Sequence, residues 1–213
     1  MEKYFWWTEE QRELADRVKT FADKHMEEAE LYFWKQEFPW PLVKKVAEEG
    51  YFGVGVPKEY GGLELGATGS CIVAEQLGRL YSVGHVFTVS MLAGLEQILK
   101  FASEEQKQKW LPKIASGKEL GAVCITEPFA GSDAANVMTT AEKDGNEWII
   151  NGKKRYITGA GVSDRYFIYA KTSDDLADKK RYGHVTSFLV EKGAEGFSLE
   201  KINPLIGFDN VPN

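Results

Sequence analysis

The sequence predicts an α+β fold, with an N-terminal all-α helical bundle domain over residues 1–118 and a small antiparallel β-barrel or β-sandwich domain over residues 119–213. Two observations distinguish the halves. Before Gly117, apolar residues recur at the three-to-four-residue spacing of helices. After it, short runs of β-branched and aromatic residues alternate with turn residues. The 43% hydrophobic content of the 213 residues is enough to bury a core.

The first helix is predicted by residues 8–11 (TEEQ), which fit a capping box that satisfies two backbone N–H groups at a helix start. One apolar face then contains Leu14, Val18, Phe21 and His25. His25 on such a face is interpreted as a packed side chain rather than a catalyst. The helix should end near Phe33, before the aromatic and proline cluster at residues 38–41.

A second helix is predicted from Pro41, suited to a first helical position, to Gly50, suited to a left-handed cap. The glycine-rich residues 51–66 follow as a loop. A third helix is marked by apolar residues at helical spacing, with an outer pair, Glu75 and Arg79, one turn apart. Its apolar residues are Val73, Leu77 and Leu80.

A fourth helix carries no charge before Glu96, which places it at the centre of the bundle. Its apolar positions are Phe87, Met91, Leu95 and Ile98. The apolar run at residues 81–95 is shorter than the ~20 residues that span a bilayer, so no membrane span is expected. A second capping box at residues 103–106 (SEEQ) opens a helix that contains Trp110 and ends near Gly117.

The second half is predicted to contain short strands. They are expected at residues 120–126, 139–143, 147–152, 166–171, 186–191 and 197–202, with Tyr156, Ile157 and Thr158 on a further strand segment. Asp144-Gly145 is the kind of turn that closes a hairpin between two of them. Residues 172–183 are a charged run, interpreted as a solvated surface loop.

Charge and cysteine content exclude several classes of function. A net charge of −6 disfavours nucleic-acid binding, which usually requires a basic patch. The two cysteines, Cys71 and Cys124, form neither a disulfide framework nor a metal-binding pattern, so a reducing cytoplasm and no metal are the expectations. The N-terminus lacks the basic and apolar regions of a secretory signal.

Two segments could carry chemistry. Residues 126–133 leave a strand, turn at Pro128 and offer hydroxyls and backbone N–H groups beside glycine, a set that could hold a heteroaromatic ring edge or a phosphate. On a strand, Tyr156 and Thr158 would share one face, where they could stack on and hydrogen-bond to a flat cofactor. The alternatives are an ordinary turn and a half-buried packing tyrosine.

The motifs themselves point to one family. Residues 125–133 (ITEPFAGSD), Thr139, 149–154 (IINGKK) and 157–158 (IT) resemble the flavin-binding signature of the acyl-CoA dehydrogenase family. The resemblance extends in the family's order to residues 57–62 (PKEYGG), 75–79 (EQLGR) and 106–117 (QKQKWLPKIASG). It therefore covers nearly the whole chain. Tyr156 stands where the family most often has tryptophan.

The resemblance implies FAD as the cofactor and an acyl-CoA thioester as the substrate. The implied cofactor-binding residues are Val123, Cys124, Ile125, Thr126, Gly131, Ser132, Tyr156, Ile157 and Thr158, with Ser132 also near the substrate thioester. The implied reaction is α,β-dehydrogenation to a 2-enoyl-CoA, with electrons passed on to an electron-transfer flavoprotein.

The resemblance also implies a C-terminal four-helix domain that residues 1–213 do not contain. In the family that domain supplies the catalytic glutamate and most of the oligomer interface, so no catalytic residue is assigned; Glu127 is interpreted as structural. The expectation is a fragment or one half of a split enzyme, working as a homo-oligomer or with a second chain. The alternatives are a non-catalytic interaction module, and an acyl-CoA oxidase or flavin monooxygenase on the same scaffold.

Overall fold

A computed structural model of the protein describes residues 6–200, 202, 203, 205, 207 and 210–213. Helices precede the sheet, as predicted. The helices are α1 (Glu9–Lys35), α2 (Trp40–Glu48), α3 (Gly66–Leu77), α4 (Ser82–Leu92), α5 (Leu95–Phe101), α6 (Glu104–Ala115) and the short α7 (Leu176–Lys180). The strands are β1 (Gly121–Cys124), β2 (Thr140–Asp144), β3 (Glu147–Asn151), β4 (Arg165–Lys171) and β5 (Val185–Glu191).

Both predicted capping boxes are present. The Thr8 hydroxyl accepts a hydrogen bond from the Gln11 backbone at 3.2 Å, and the Gln11 side chain accepts from the Thr8 backbone at 3.1 Å. Ser103 and Gln106 repeat this arrangement at the start of α6. The first helix continues past the predicted end at Phe33 to Lys35, where Gln36 adopts a left-handed conformation.

The predicted fourth helix is wrong in one respect, because it is two helices, α4 and α5. Its apolar face is buried as expected, but the chain breaks at Ala93 and Gly94, where Gly94 has φ of +96°. A Cβ atom at Gly94 would overlap the ring of Phe167 on β4. The break therefore lets the sheet approach the helices closely.

The break also bears on the membrane. Within the described ranges, Ser82–Phe101 is the one helical stretch long and apolar enough to span a bilayer by length and composition. It is interrupted at Gly94, and 61% of the window is buried inside the protein. It is a core segment of the helical bundle.

The sheet is mixed rather than wholly antiparallel, while the predicted order of a helical domain followed by a sheet domain is confirmed. The hairpin β2–β3 and the pair β4–β5 are antiparallel, but β1 pairs with β4 in parallel, Gly121 opposite Arg165. A parallel pair requires a long crossover, and here the connection includes the whole β2–β3 hairpin. Strand β4 is central: β1 and β2 lie along one of its edges and β5 along the other.

Four local predictions are corrected. The hairpin turn is Gly145-Asn146 rather than Asp144-Gly145, because Asp144 still pairs with Glu147. Residues 156–158 are not a strand, and neither are residues 197–200; Lys201 lies outside the described residues. Arg79 pairs with Asp23 of α1 rather than with Glu75. The charged run at 172–183 is a surface loop that contains α7. The ends of this loop are joined by a 2.9 Å hydrogen bond from the Thr172 backbone N–H to the His184 carbonyl.

A buried guanidinium lies at the junction of helices and sheet. Arg165, the first residue of β4, is 1% exposed and donates to the Glu119 carbonyl and, at 3.2 Å, to the Ser90 carbonyl near the end of α4. A Cβ atom at Gly121 would overlap Ala93 and crowd this guanidinium. Helix α6 ends at Ala115 and β1 begins at Gly121, while the domain division at residues 118 and 119 stays a prediction.

The close approach at Gly94 predicts a specific loss of stability. Gly94→Ala should reduce the free energy of unfolding by about 1–3 kcal/mol more than Gly61→Ala, because only the first brings a methyl group against an aromatic ring. Gly61 is a matched control, since it has φ of +84° and open space around it. It should lose about 1 kcal/mol from backbone strain alone. Urea unfolding of both variants measures the difference; equal losses would contradict the packing assignment.

Candidate functional site

The two segments predicted to carry chemistry lie side by side. Strand β1 ends at Cys124, and the chain that follows runs next to residues 153–158. The Arg155 backbone N–H donates to the Thr126 carbonyl at 2.8 Å, and the Lys154 ammonium donates to the Ile125 carbonyl at 3.0 Å. Thr126 is therefore adjacent to the segment that contains Tyr156 and Thr158.

A tight turn follows Thr126. The backbones of Glu127 and Ala130 exchange two hydrogen bonds, at 2.9 and 3.3 Å, which close a turn around Pro128 and Phe129. Phe129 is 88% exposed as a result. Gly131 and Ser132 are also exposed, but no hydrogen bond among the described residues ties them to residues 156–158. The structure thus joins only part of the predicted set.

Glu127 is buried and fully engaged. Its carboxylate accepts from the Thr139 backbone at 2.9 Å, from the Thr139 hydroxyl, from the Met138 backbone, and from the Lys154 ammonium at 2.7 Å. Burial acts to raise the pKa of Glu127, but the hydrogen bonds from Lys154, Thr139 and Met138 outweigh it and lower the pKa to about 2. The carboxylate is ionised at neutral pH.

Three of the predicted cofactor-binding residues are occupied by packing. Val123 packs against the helical core, whereas Cys124 and Ile157 belong to the small apolar cluster of the sheet. Burial raises the pKa of the Cys124 thiol to about 12. The side chains of Cys124 and Ile157 are buried, so a ligand could contact only the backbone of these two residues.

Tyr156 presents an aromatic face by a different route from the one predicted. Its φ is +57°, an unusual value for a tyrosine, and the residue is 50% exposed. The Arg155 guanidinium lies 4.5 Å from the ring centroid. Thr158 is half-buried, and its hydroxyl donates to the Asn213 side chain at 3.1 Å. The strand alternation used to place Tyr156 and Thr158 on one face is therefore wrong.

A basic cavity that the sequence did not predict lies beside β4. It has a volume of about 270 Å³ and is lined by Lys171, Lys179, His184 and residues 135–138. His184 is 5% exposed; its Nε2 meets the Ala135 carbonyl at 2.8 Å, and its Nδ1 is buried without a partner in the described structure. The basic lining residues come from one stretch of the sequence and residues 135–138 from another, so the fold forms the cavity between them.

Matches to known protein families extend over nearly the whole chain. The family model "Acyl-CoA dehydrogenase, N-terminal domain" matches residues 8–118, and "Acyl-CoA dehydrogenase, middle domain" matches residues 122–213. The chain is 37% identical over 202 residues to an acyl-CoA dehydrogenase of Bacillus subtilis (strain 168), covering 94% of this chain and 52% of that protein. It spans about half the length of the curated relatives it matches.

Two solved structures have similar folds. One is described as the electron transferring flavoprotein of Acidaminococcus fermentans; it has a TM-score of 0.88 and 32% identity, covering 98% of this chain and 54% of that one. The other is an acyl-CoA dehydrogenase from Bacillus anthracis complexed with FAD; it has a TM-score of 0.81 and 29% identity, covering 97% of this chain and 35% of that one.

The burial of Cys124 predicts selective thiol chemistry. Iodoacetamide at neutral pH should label the exposed Cys71 and spare Cys124, because burial disfavours the reactive thiolate. Mass spectrometry should find one label on the native chain and two after denaturation. Cys71→Ser is the control, and its native form should remain unlabelled; rapid labelling of Cys124 would show that β1 is open to solvent.

The lowered pKa of Glu127 predicts a pH-dependent stability difference. A carboxylate with a depressed pKa stabilises the fold above its ordinary value of 4.5, and this contribution disappears as the pH falls towards about 2. Glu127→Gln should therefore be about 3 kcal/mol less stable than the parent chain at pH 7, and the gap should shrink between pH 4.5 and 2.

Urea unfolding across that pH range measures the gap. Glu142→Gln is the control, because Glu142 is an exposed carboxylate on β2 and its replacement should give a small, constant difference. A gap for Glu127→Gln that does not change with pH would show that Glu127 is not held as a carboxylate.

Proposed function

The chain belongs to the acyl-CoA dehydrogenase family, and on that premise we propose that it is the helical and flavin-binding part of an FAD-dependent oxidoreductase. The proposed substrate is an acyl-CoA thioester, which loses one hydrogen from each of its α and β carbons to give a 2-enoyl-CoA. The proposed electron acceptor is an electron-transfer flavoprotein. The chain would act as part of a longer protein, as a homo-oligomer, or with a second chain that supplies the remaining domain.

The observation that carries the proposal is the juxtaposition of Thr126 with residues 155–158. A flavin needs hydrogen-bond partners at its ring edge and an aromatic or apolar surface against its face. Thr126 and Thr158 offer hydroxyls to the ring edge, and the exposed ring of Tyr156 offers an aromatic surface to the ring face. Bound FAD would supply the hydride acceptor; the chain's own contribution is to hold and orient it.

Each residue would have a defined part in holding the cofactor. Thr126 would donate to the ring edge, and Tyr156 would lie against the ring. Thr158 would exchange its bond with Asn213 for one to the ring, because a hydroxyl rotates to suit its acceptor. Ser132 and Gly131, exposed on the turn, would contact the cofactor phosphates, and Ser132 also the thioester.

Glu127 does not fit the part of the base that removes the substrate α-proton. Both of its oxygens accept hydrogen bonds, and its pKa of about 2 makes it a poor proton acceptor at neutral pH. We therefore assign no base to residues 1–213. This agrees with the expectation that the family's catalytic glutamate lies in its C-terminal domain.

The basic cavity supports the choice of a CoA thioester. CoA carries several phosphate charges, and Lys171 and Lys179 offer the opposite charge in a cavity that is also lined by residues 135–138, which follow Ser132 closely in sequence. Asp174 pairs with both lysines, at 2.9 and 3.3 Å, so an incoming phosphate would compete with this one carboxylate. An acyl-CoA oxidase or monooxygenase on the same scaffold would use the same contacts.

A second candidate is a non-catalytic interaction module. It is favoured by the large apolar side chains exposed on the sheet half of the chain. They include Phe129, Trp148, Ile149, Tyr156 and Leu199, each at least 43% exposed. FAD binding distinguishes the two candidates, because the oxidoreductase must bind FAD and an interaction module need not.

Visible absorbance tests the proposal directly. The chain mixed with FAD and desalted should keep a flavin band near ~450 nm in stoichiometric amount. Thr126→Val should weaken FAD binding roughly tenfold, the effect of losing one hydrogen bond. Thr186→Val is the matched control, because Thr186 is an exposed strand threonine whose hydroxyl bonds to Thr172 alone among the described residues. This variant should bind FAD as the parent chain does.

Anaerobic addition of acyl-CoA thioesters provides the second readout. Since no base is assigned, the flavin band should persist. Bleaching would contradict that assignment, and a parent chain that retains no flavin would favour the interaction module.

A further inference from the structure

The ion pair between Lys154 and Glu127 is the most buried one in the described structure. The two side chains are 9% and 3% exposed, and the ammonium lies 2.7 Å from the carboxylate. The neighbouring Lys153 makes the opposite kind of contact, a 2.7 Å pair with Glu200 in which both side chains are about 70% exposed. Surface pairs of that kind contribute little to stability, whereas loss of one partner from a buried pair leaves an uncompensated charge.

The buried pair connects three separate segments of the chain. Lys154 follows β3 and donates to both the Ile125 carbonyl and Glu127, which follow β1. Glu127 in turn accepts from the backbones of Met138 and Thr139, which lead into β2. Among the described residues, the first two segments are joined by one further hydrogen bond, from the Arg155 backbone to the Thr126 carbonyl.

Thr126 lies at the centre of these contacts. The residue before it is held through its carbonyl and the residue after it through its side chain, both by the same ammonium. Tyr156 is two residues beyond Lys154 on the opposing segment. One buried cation therefore fixes the relative position of the hydroxyl and the aromatic ring assigned above to the flavin.

We propose that Lys154 is a positioning residue for the cofactor, which acts through Glu127 to hold the Thr126 turn against the Tyr156 segment. The proposal rests on the proposed function in so far as the cofactor is FAD. The geometric half of the proposal, that the ion pair of Lys154 and Glu127 fixes the turn after Thr126, applies to the chain without any ligand. Lys154 itself is not assigned a contact with FAD.

The test compares Lys154→Met with Lys153→Met in the full 213-residue chain. Methionine keeps much of the length of the lysine side chain and removes its charge. In the flavin-free chain, hydrogen exchange of the Met138 and Thr139 amides should accelerate at least roughly tenfold in Lys154→Met, since both amides donate to Glu127. Lys153→Met should leave it within about twofold, as expected for a surface pair.

FAD binding provides the second readout. Lys154→Met should raise the Kd for FAD by at least roughly tenfold and alter the visible circular dichroism of any flavin that binds. Exchange of the Val18 amide in the helical core should stay unchanged, which separates loss of position from loss of fold. Unchanged exchange at Met138 and Thr139 would overturn the proposal, as would accelerated exchange with unchanged FAD affinity and dichroism.

A double-mutant cycle tests whether Lys154 acts through Glu127. The combined Glu127→Gln and Lys154→Met variant should lose little more FAD affinity than either single variant, because one interaction is removed twice. Additive losses would overturn the coupling. Should Lys154→Met not fold, the combined variant, with no charge left unpaired, carries the same comparison against Lys153→Met. A parent chain that binds no FAD would overturn the proposed function, while the exchange measurement would still decide the geometric half.

Discussion

The burial of one guanidinium at the start of β4 constrains the whole molecule. Burial lowers the pKa of Arg165 to about 10, which still leaves the group charged at neutral pH. A buried charge requires hydrogen-bond acceptors, and here these are carbonyls from the end of α4 and from the approach to β1. The negative end of the α4 dipole faces the same cation. Displacement of the sheet from the helices would take the Ser90 carbonyl away from that charge.

The position of β4 then determines the position of the candidate site. Strands β1, β2 and β5 all pair with β4, so each strand end is placed relative to Arg165. The turn after β1 emerges at the end of β1 remote from the guanidinium. There the buried Lys154 has a similar structural role: it follows β3, and both of its acceptors lie in the segment that follows β1. The sheet is thus fixed at one end of β1 by Arg165 and at the other by Lys154.

Local signals in the sequence were enough for the elements that depend on local physics. The capping boxes at Thr8 and Ser103 and the β2–β3 hairpin need only neighbouring residues. They form as predicted, except that the hairpin turn lies one residue later. The break at Gly94 depends on Phe167, more than seventy positions away, and a helical period does not reveal it. The parallel pairing of β1 with β4 has the same origin, because pairing partners are set by the crossover rather than by strand composition.

The site shows the same division. Residues of the signature could be named from the sequence, and the fold brings Thr126 next to the Tyr156 segment, but the left-handed backbone at Tyr156 has no sequence marker. The signature marks Glu127 as structural, but its need for a cation follows from its burial, which the sequence does not show. Which of Lys153, Lys154 and Arg155 turns inwards cannot be read once the strand alternation has ended. Only their burial in the structure separates them.

The hydrogen bond that joins the ends of the loop between β4 and β5 has an evolutionary consequence. Because Thr172 and His184 are bonded to each other, residues between them can be gained or lost without changing the register of either strand. Doubling the length of such a loop costs only about 0.6 kcal/mol. The same loop places Lys179 in the lining of the basic cavity. Changes of length there would alter the charge offered to a ligand while the sheet stays as it is, so descendants of this chain could acquire new ligand preferences at little risk to folding.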